Sequence, residues 1–197
     1  MSHPNADIVI SAFNGALAVR DFPHTQRAFA FEVTFFLESL GSGRGTGSQK
    51  PPSHFHPYQE EYVEVLEGNL MVEVDGREYL LSPGDAQDTP MAYKLDAIFF
   101  QNWYGYLDEI ALTGEKMNLI QTMCMFDAGG TYLSLPRWIP LNKWIAWALG
   151  IAMGRWLGGI LGYQPFYRKW TTDWQLACWK MPSSIIQRRF IDTTREN

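Results

Sequence analysis

The chain has 197 residues, of which 46% are hydrophobic and 15% aromatic, and it carries a net charge of −5 at neutral pH. This length and apolar content predict a folded domain with its own core and exclude an intrinsically disordered chain. Acidic residues outnumber basic ones by 21 to 16 and no basic cluster occurs, so nucleic acid is not an expected partner.

The sequence predicts short β-strands separated by turns over the first two thirds of the chain. Residues 28–38 are dense in aromatic and β-branched side chains, which favour strands. A Gly/Ser-rich stretch follows at 41–53, and its closing prolines at 51 and 52 exclude the helix that a phosphate-binding loop needs. We expect this stretch to form a loop over the mouth of a barrel.

Three further strand-length segments follow one another closely, namely 61–68, 69–76 and 77–85. In the first two, valines alternate with glutamates, which is the period-two pattern of a half-buried strand. Asp75-Gly76 lies between two alternating segments and predicts a two-residue hairpin turn. Two more strands are predicted at 93–104 and 116–127, and this number of short strands predicts a jelly-roll or barrel.

The composition changes beyond Pro136. Residues 137–163 are rich in residues that favour helices, and a helix formed by them would be apolar on nearly all of its faces. Seven of the eight tryptophans lie after Arg137. We therefore predict two parts: a β-barrel domain over 1–136 and an apolar, Trp-rich helical extension over 137–197.

Glycines recur every four residues from 150 to 162, which on a helix forms a flat stripe that permits close approach of another backbone. The longest uncharged run, between Lys143 and Arg155, has eleven residues and is too short to span a bilayer. Three uses stay open. The favoured one is docking on the barrel or on a partner subunit, the second is a peripheral membrane contact through residues 138–162, and the third is a lid over the barrel mouth.

The residues with the clearest chemical potential lie in PPSHFHPYQEEYVEVLEG, residues 51–68. His54 and His56 are two apart, so on a strand they would point to the same face. Extending the alternation backwards from Val63 places Glu61 on the inward face. Two imidazoles and one carboxylate suit a divalent metal, and this set in particular suits non-haem iron with open positions. The alternative is that the histidines are merely loop residues before a strand.

The spacing of these residues resembles the first motif of the cupin family, in which H-x-H is followed by a glutamate and then a glycine. Four residues separate His56 from Glu61 and six separate Glu61 from Gly68, while the leading Gly47 is one position out of register. The resemblance covers about residues 28–127. It implies a mainly β fold, a cupin-type jelly-roll β-barrel with a C-terminal helical appendage.

The second cupin motif is only partly present. Its glycine and proline are matched, but Leu95 stands where the fourth metal ligand belongs and Phe99 stands where an asparagine belongs. None of the four histidines follows His56, so the usual 3-His-1-Glu site cannot be completed from this motif. We interpret His24 as a surface residue and leave it out of the ligand set.

The resemblance leaves three functions open. The leading hypothesis is a non-redox enzyme that isomerises, cyclises or dehydrates a bulky apolar intermediate of specialised metabolism. In it, His54, His56 and Glu61 act as catalytic acid, base or metal ligands. The second hypothesis is an Fe(II)-dependent dioxygenase that uses the same three residues, and the third is a cupin that binds a small ligand without catalysis. The cofactor alternatives are accordingly none or one divalent metal: Fe, Mn, Zn or Ni.

The substrate pocket is expected to be apolar. Leu95 weakens metal affinity at its position and keeps the pocket dry, which favours non-redox chemistry. Tyr93 and Gln101 share its predicted strand face and are candidates for polar contacts. The other candidate lining residues are Phe55, Phe99, Trp103, Met123 and Met125, each of which also fits a plain barrel core.

The cysteines and the first residues predict the compartment. Cys124 and Cys178 are too few and too far apart for a disulfide framework. The sequence MSHPNADIVIS lacks the basic start and apolar core of a secretory signal. We expect a cytoplasmic protein, with membrane association as the alternative, and the resemblance to cupins implies a homodimer.

Overall fold

The computed structural model describes the chain as two compact units. One unit comprises residues 1–55 and 95–197, and the other comprises residues 56–94. The described residues are 9–22, 30–42, 53–57, 61–74, 77–84, 86–89, 96–181 and 186–192. The domain boundary expected after residue 136 stays a prediction.

Short strands and longer helices make up the described residues. The strands are β1 (Val9–Ala12), β2 (Leu17–Phe22), β3 (Ala30–Phe35), β4 (His54–Phe55), β5 (Glu61–Glu64), β6 (Leu70–Val74), β7 (Arg77–Leu81), β8 (Ala86–Thr89) and β9 (Tyr132–Leu133). The helices are α1 (Leu37–Ser42), α2 (Ala97–Thr113), α3 (Leu119–Ala128), α4 (Asn142–Leu149), a π-helix (Gly150–Gly158), α5 (Gly159–Leu161), α6 (Trp174–Lys180) and α7 (Arg189–Asp192).

In the larger unit, β1, β2 and β3 form an antiparallel sheet in that order. Ala12, Leu17 and Val19 are its buried side chains, and partly buried aromatic and aliphatic residues pack against them. The strand predicted at 28–38 is confirmed over Ala30–Phe35, after which the chain turns into α1.

The smaller unit contains two antiparallel strand pairs, β5 with β8 and β6 with β7. The register of β6 and β7 places Val74 opposite Arg77, so two residues connect the strands, as the Asp75-Gly76 signal predicts. Across the described residues the strands form one three-stranded sheet and three two-stranded pairs, without a closed barrel. The expected jelly-roll is therefore seen only as short sheets, and the chain is helical to a larger extent than predicted.

The prediction of strands at 93–104 and 116–127 was wrong. Helix α2 begins at Ala97 in the first segment, and helix α3 begins at Leu119 in the second. Their aromatic content favours strands, but capping residues decide in favour of helices. The Asp96 side chain accepts a hydrogen bond of 3.0 Å from a backbone N–H in the first turn of α2. Gly114 ends that helix in the left-handed conformation, at φ 71°. Asn118 caps α3 in the same way as Asp96 caps α2.

The segment Asn142–Leu161, called the apolar helix below, is one continuous helix built from α4, the π-helix and α5. Gly154 and Gly158 are buried against α3, and Gly150 is buried against the Tyr132 ring. A Cβ atom added at Gly154 would lie 2.6 Å from the carbonyl carbon of Met123, so only glycine permits this approach. The glycine stripe is therefore a docking face, as predicted, but its partner is a helix of the same chain and not a barrel.

Candidate active site

A two-residue strand pairing holds the first predicted histidine. β4 pairs antiparallel with β9, with His54 opposite Leu133 and Phe55 opposite Tyr132. A further backbone hydrogen bond of 2.8 Å continues the pairing beyond the strands. The side chain of His54 is exposed, so its imidazole is positioned by the backbone and reaches solvent.

Three aromatic rings form what we call the aromatic cluster: Phe99 and Trp103 of α2, and Phe126 of α3, which is the ring next to His54. The Phe126 centroid lies 4.8 Å from that of Trp103 and 6.3 Å from that of Phe99. The centroid of the His54 imidazole lies 5.9 Å from the centroid of the Phe126 ring. Phe99 and Phe126 are buried, while Trp103 is half-buried. The histidine thus stands at the edge of a cluster of aromatic rings that is mostly buried.

Helix α2 changes the interpretation of the predicted polar contact. Gln101 is buried, and its side-chain amide donates to Thr172 Oγ1 at 2.9 Å while its oxygen accepts from the Thr172 backbone N–H at 3.0 Å. Its expected position on one strand face with Leu95 was wrong, because residue 101 is helical. Tyr93 and Leu95 lie outside the described residues.

The remaining candidates for the pocket lining contact their own unit. Met125 is almost fully buried in α3, and Met123 is half-buried with its carbonyl against Gly154. The ring of Phe55 lies 6.0 Å from that of its strand partner Tyr132. Contact of these residues with a substrate stays a prediction.

The other two members of the predicted ligand set belong to the smaller unit. His56 follows the end of β4, is half-buried, and has an Nε2 atom that solvent does not reach. Because β4 ends at Phe55, strand alternation does not govern the direction of His56. Glu61 is the first residue of β5 and pairs with Thr89, and its side chain lies outside the described residues. The convergence of the three side chains stays a prediction.

A buried polar network lies behind β9. The Arg155 guanidinium makes two hydrogen bonds to the Asp127 carboxylate, and the Tyr132 hydroxyl donates to the same group at 3.1 Å. Burial raises the pKa of Tyr132, and the negative charge of Asp127 raises it further. The network joins α3, β9 and the apolar helix, and through β9 it supports the strand that carries His54.

Comparison with known proteins places the chain in a family. Residues 45–90 match the Cupin domain family. The probable oxidoreductase yanE of Aspergillus niger is 38% identical, over 93% of this chain and 84% of that protein. The oxidoreductase macE of Penicillium terrestre is 39% identical, over 74% of this chain and 70% of that protein. This chain is a cupin. No solved structure matches it.

A third relative carries a more specific name. The epoxidase atD of Aspergillus terreus is 37% identical over 75% of the cupin, which spans 55% of atD. The matched domain region, 45–90, contains His54, His56 and Glu61. The relatives' similarity extends well beyond this region and includes the helical part of the cupin.

The chemistry of the donor set fits a single divalent ion. Two imidazoles and one carboxylate are a ligand combination used for iron with open positions. Among the described residues no group of three or more His, Cys, Asp or Glu is placed to hold a metal, and the Glu61 side chain is not among them. That the cupin uses His54, His56 and Glu61 together as metal ligands stays a prediction from its sequence.

Sequence reasoning missed the residues that support the site. Phe126, Asp127, Tyr132 and Arg155 carry no local motif, and the two partners of the ion pair are 28 positions apart. Arg155 was interpreted only as a charge that interrupts an apolar run. A useful signal was the single acidic residue of α3, which in an apolar helix needs a cationic partner.

Proposed function

We propose that the cupin is an oxidoreductase that acts on an apolar small molecule with a planar or aromatic part. The observation that carries this proposal is its 38% identity to the probable oxidoreductase yanE over 84% of that protein. The name of the epoxidase atD supports the same class of reaction. We include in the proposal that the substrate is an intermediate of specialised metabolism.

This proposal reverses the order of the sequence-based hypotheses. Non-redox isomerisation, cyclisation or dehydration was expected first, because Leu95 replaces a metal ligand. The names of the relatives favour the second hypothesis, in which the same three residues serve a redox reaction. The loss of the fourth ligand is compatible with it, because a 2-His-1-carboxylate set leaves positions open.

His54, His56 and Glu61 would hold the metal, and a bound Fe(II) would supply redox chemistry and open coordination positions. The described neighbourhood of His54 indicates how the substrate would be bound. Phe126 lies beside the imidazole and Trp103 lies against Phe126, and aromatic pairs prefer offset or edge-to-face contact at such distances. An apolar ring seated there would lie next to the first ligand.

Metal binding is tested on the full chain loaded with Fe(II) under anaerobic conditions, with nitric oxide as the spectroscopic probe. We expect one iron per chain and a high-spin iron–nitrosyl signal that His54→Ala, His56→Ala and Glu61→Gln each abolish. Glu64→Gln is the matched control, because Glu64 is an exposed carboxylate at the far end of the same strand. His24→Ala should also retain the signal. Equal iron binding by the wild type and all three ligand variants would contradict the ligand set.

The reaction class is tested by mass. Deletion of the encoding gene in its host should cause a precursor to accumulate, and high-resolution mass spectrometry should compare it with the product of the complemented strain. An oxidoreductase changes the formula by oxygen atoms or by pairs of hydrogens. Isomerisation or cyclisation without redox leaves the formula unchanged, and dehydration removes one water. Either of the last two results would overturn the proposal and restore the non-redox hypothesis.

A further inference from the structure

The apolar helix buries four glycines and Ala146 and exposes six of its large apolar side chains. Its glycines and Ala146 face the interior of the larger unit. The exposed large side chains are Trp144, Ile145, Leu149, Trp156, Ile160 and Leu161. A helix that only packs on its own fold turns its large apolar side chains inward. The reversed arrangement indicates that the outer face contacts a further apolar phase or partner.

The charge of this region is opposite to that of the whole chain. Between Asp127 and Asp173 the sequence contains five basic residues and no acidic residue, in a chain of net charge −5. Lys143 and Arg137 are exposed at the start of the apolar helix, and Trp138 beside them is 81% exposed. Within this stretch of sequence the charged residues are therefore all basic, and two of them are paired with acidic residues elsewhere, Arg155 with Asp127 and Lys169 with Glu109.

We propose that this face is a docking surface for an anionic lipid bilayer, with the apolar helix lying in the plane of the interface. Tryptophan is enriched at the level of lipid headgroups because its ring is apolar and its N–H is polar. Trp144 and Trp156 are 68% and 58% exposed on the outer face. Basic residues close to a membrane add attraction to anionic lipids. This inference does not depend on the reaction that the cupin catalyses.

Length and composition alone would also allow the apolar helix to cross a membrane, since it has 20 residues and a mean hydropathy of 1.3. The eleven-residue uncharged run between Lys143 and Arg155 was therefore too strict a criterion for excluding a membrane-spanning helix. Packing favours the interfacial arrangement instead. The inner face lies on α3, and Arg155 pairs with the buried Asp127. A spanning helix would carry α3 and this ion pair into hydrocarbon, where charged groups are costly.

A second copy of the chain is the other occupant to consider. In a symmetric dimer the same patch meets itself. Lys143 would then meet its own copy across the contact, and residues 128–172 contain no acidic side chain to compensate it. A bilayer with anionic headgroups provides the missing negative charge, so the charge distribution favours lipid.

The test is flotation of the full-length cupin with vesicles of phosphatidylcholine, with and without about 30% phosphatidylserine. We expect binding to the anionic vesicles, and bromine-labelled acyl chains should quench the tryptophan fluorescence at shallow depth. Trp144→Ser with Trp156→Ser should weaken the partition coefficient by about tenfold or more. Lys143→Gln should weaken it by about fivefold on anionic vesicles only.

Trp179→Ser is the matched control, because Trp179 is 77% exposed on α6, outside the apolar helix. It should bind vesicles as the wild type does. Circular dichroism of each variant shows whether it is folded. Quenching of the wild-type tryptophan fluorescence tests membrane binding even if a variant does not fold. Three results would overturn the proposal: no vesicle binding, a dimer that Trp144→Ser with Trp156→Ser dissociates in the absence of lipid, or resistance to alkaline carbonate as expected for a spanning helix.

Discussion

Arg155 and Asp127 form a two-bond ion pair in which Nε lies 2.7 Å from Oδ2 and Nη2 lies 3.0 Å from Oδ1. The Asp127 side chain is only 2% exposed. The carboxylate also accepts the Tyr132 hydroxyl, so its charge is balanced and hydrogen-bonded in the interior. Because the pair joins α3 to the apolar helix, it fixes the surface against which His54 and the aromatic cluster are placed.

Removal of the cation should therefore be costly. Arg155→Met leaves Asp127 buried without its partner, and we expect the free energy of unfolding to fall by about 3 kcal/mol. Urea denaturation followed by tryptophan fluorescence measures this change. The control is Lys169→Met, which breaks the exposed 2.6 Å pair with Glu109 and should cost at most about 1 kcal/mol. Equal losses in the two variants would show that the buried pair has no special role.

The glycine stripe predicts a second stability effect. Gly154→Ala gains about 1 kcal/mol of helix propensity. However, its Cβ would lie 2.6 Å from the carbonyl carbon of Met123, and a backbone group cannot move aside as a side-chain end can. We expect overpacking to prevail and to cost about 1–3 kcal/mol in the same urea assay.

Ala152→Gln is the control for this substitution, because Ala152 is exposed on the same helix and glutamine is a good helix former. It should change the free energy of unfolding by less than about 0.5 kcal/mol. A Gly154→Ala variant more stable than the wild type would mean that the apolar helix does not pack closely on α3.

Local patterns predicted β5, β6 and β7 of the smaller unit and the helical C-terminal part correctly, because each depends on periodicity within a few residues, whereas β8 was not predicted. Valine–glutamate alternation located β5 and β6, and Asp75-Gly76 gave the register of the β6–β7 pair. The same rules failed for α2, where aromatic residues favoured a strand. The deciding feature was the Asp96 cap. Its carboxylate accepts a hydrogen bond from one of the first backbone N–H groups of the helix, which have no partner within the helix.

The ligand set of the candidate site stays a prediction. H-x-H and the following glutamate lie within eight residues of sequence, so a motif points to them as candidates. Phe126 approaches His54, and Trp103 approaches Phe126, through the packing of two helices on a strand, and such contacts between distant segments leave no local pattern. The names of the relatives led to the proposal of redox chemistry, which spacing alone could not distinguish from acid–base chemistry.

The two cysteines should differ strongly in reactivity. Burial raises the pKa of Cys124 to about 12, and the Asp127 carboxylate contributes in the same direction. Burial also raises the pKa of Cys178, but its side chain is only half-buried. Because the thiolate is the reactive form, we expect one thiol of the folded protein to react with a disulfide reagent at pH 8 and the second to react only on unfolding.

Substitution identifies which thiol reacts. Cys178→Ser should leave no fast thiol in the folded protein, whereas Cys124→Ser should retain it. The reaction is followed by absorbance and by mass spectrometry of the modified peptide. Fast labelling of Cys124 in the native state would mean that α3 opens readily at that position.

Tyr167 predicts how stability changes in alkali. Burial raises its pKa to about 12, whereas a tyrosine of the unfolded chain titrates near pH 10. The folded state therefore keeps a proton that the unfolded state has lost. This contribution is complete below pH 10 and is lost as the pH rises through 12. We expect the urea midpoint to fall steadily above pH 10, and burial of Tyr106 and Tyr132 adds to the same trend.

Tyr167→Phe separates this contribution from those of the other tyrosines. The variant loses the hydrogen bond to the side-chain oxygen of Gln121 and should be less stable at pH 8, but its urea midpoint should fall less steeply between pH 10 and 12. Tyr79→Phe, at a partly exposed position of β7, should keep the wild-type slope. If the urea midpoint of Tyr167→Phe fell with pH as steeply as that of the wild type, Tyr167 would ionise alike in the folded and unfolded chain. That result would contradict the burial of its hydroxyl against Gln121.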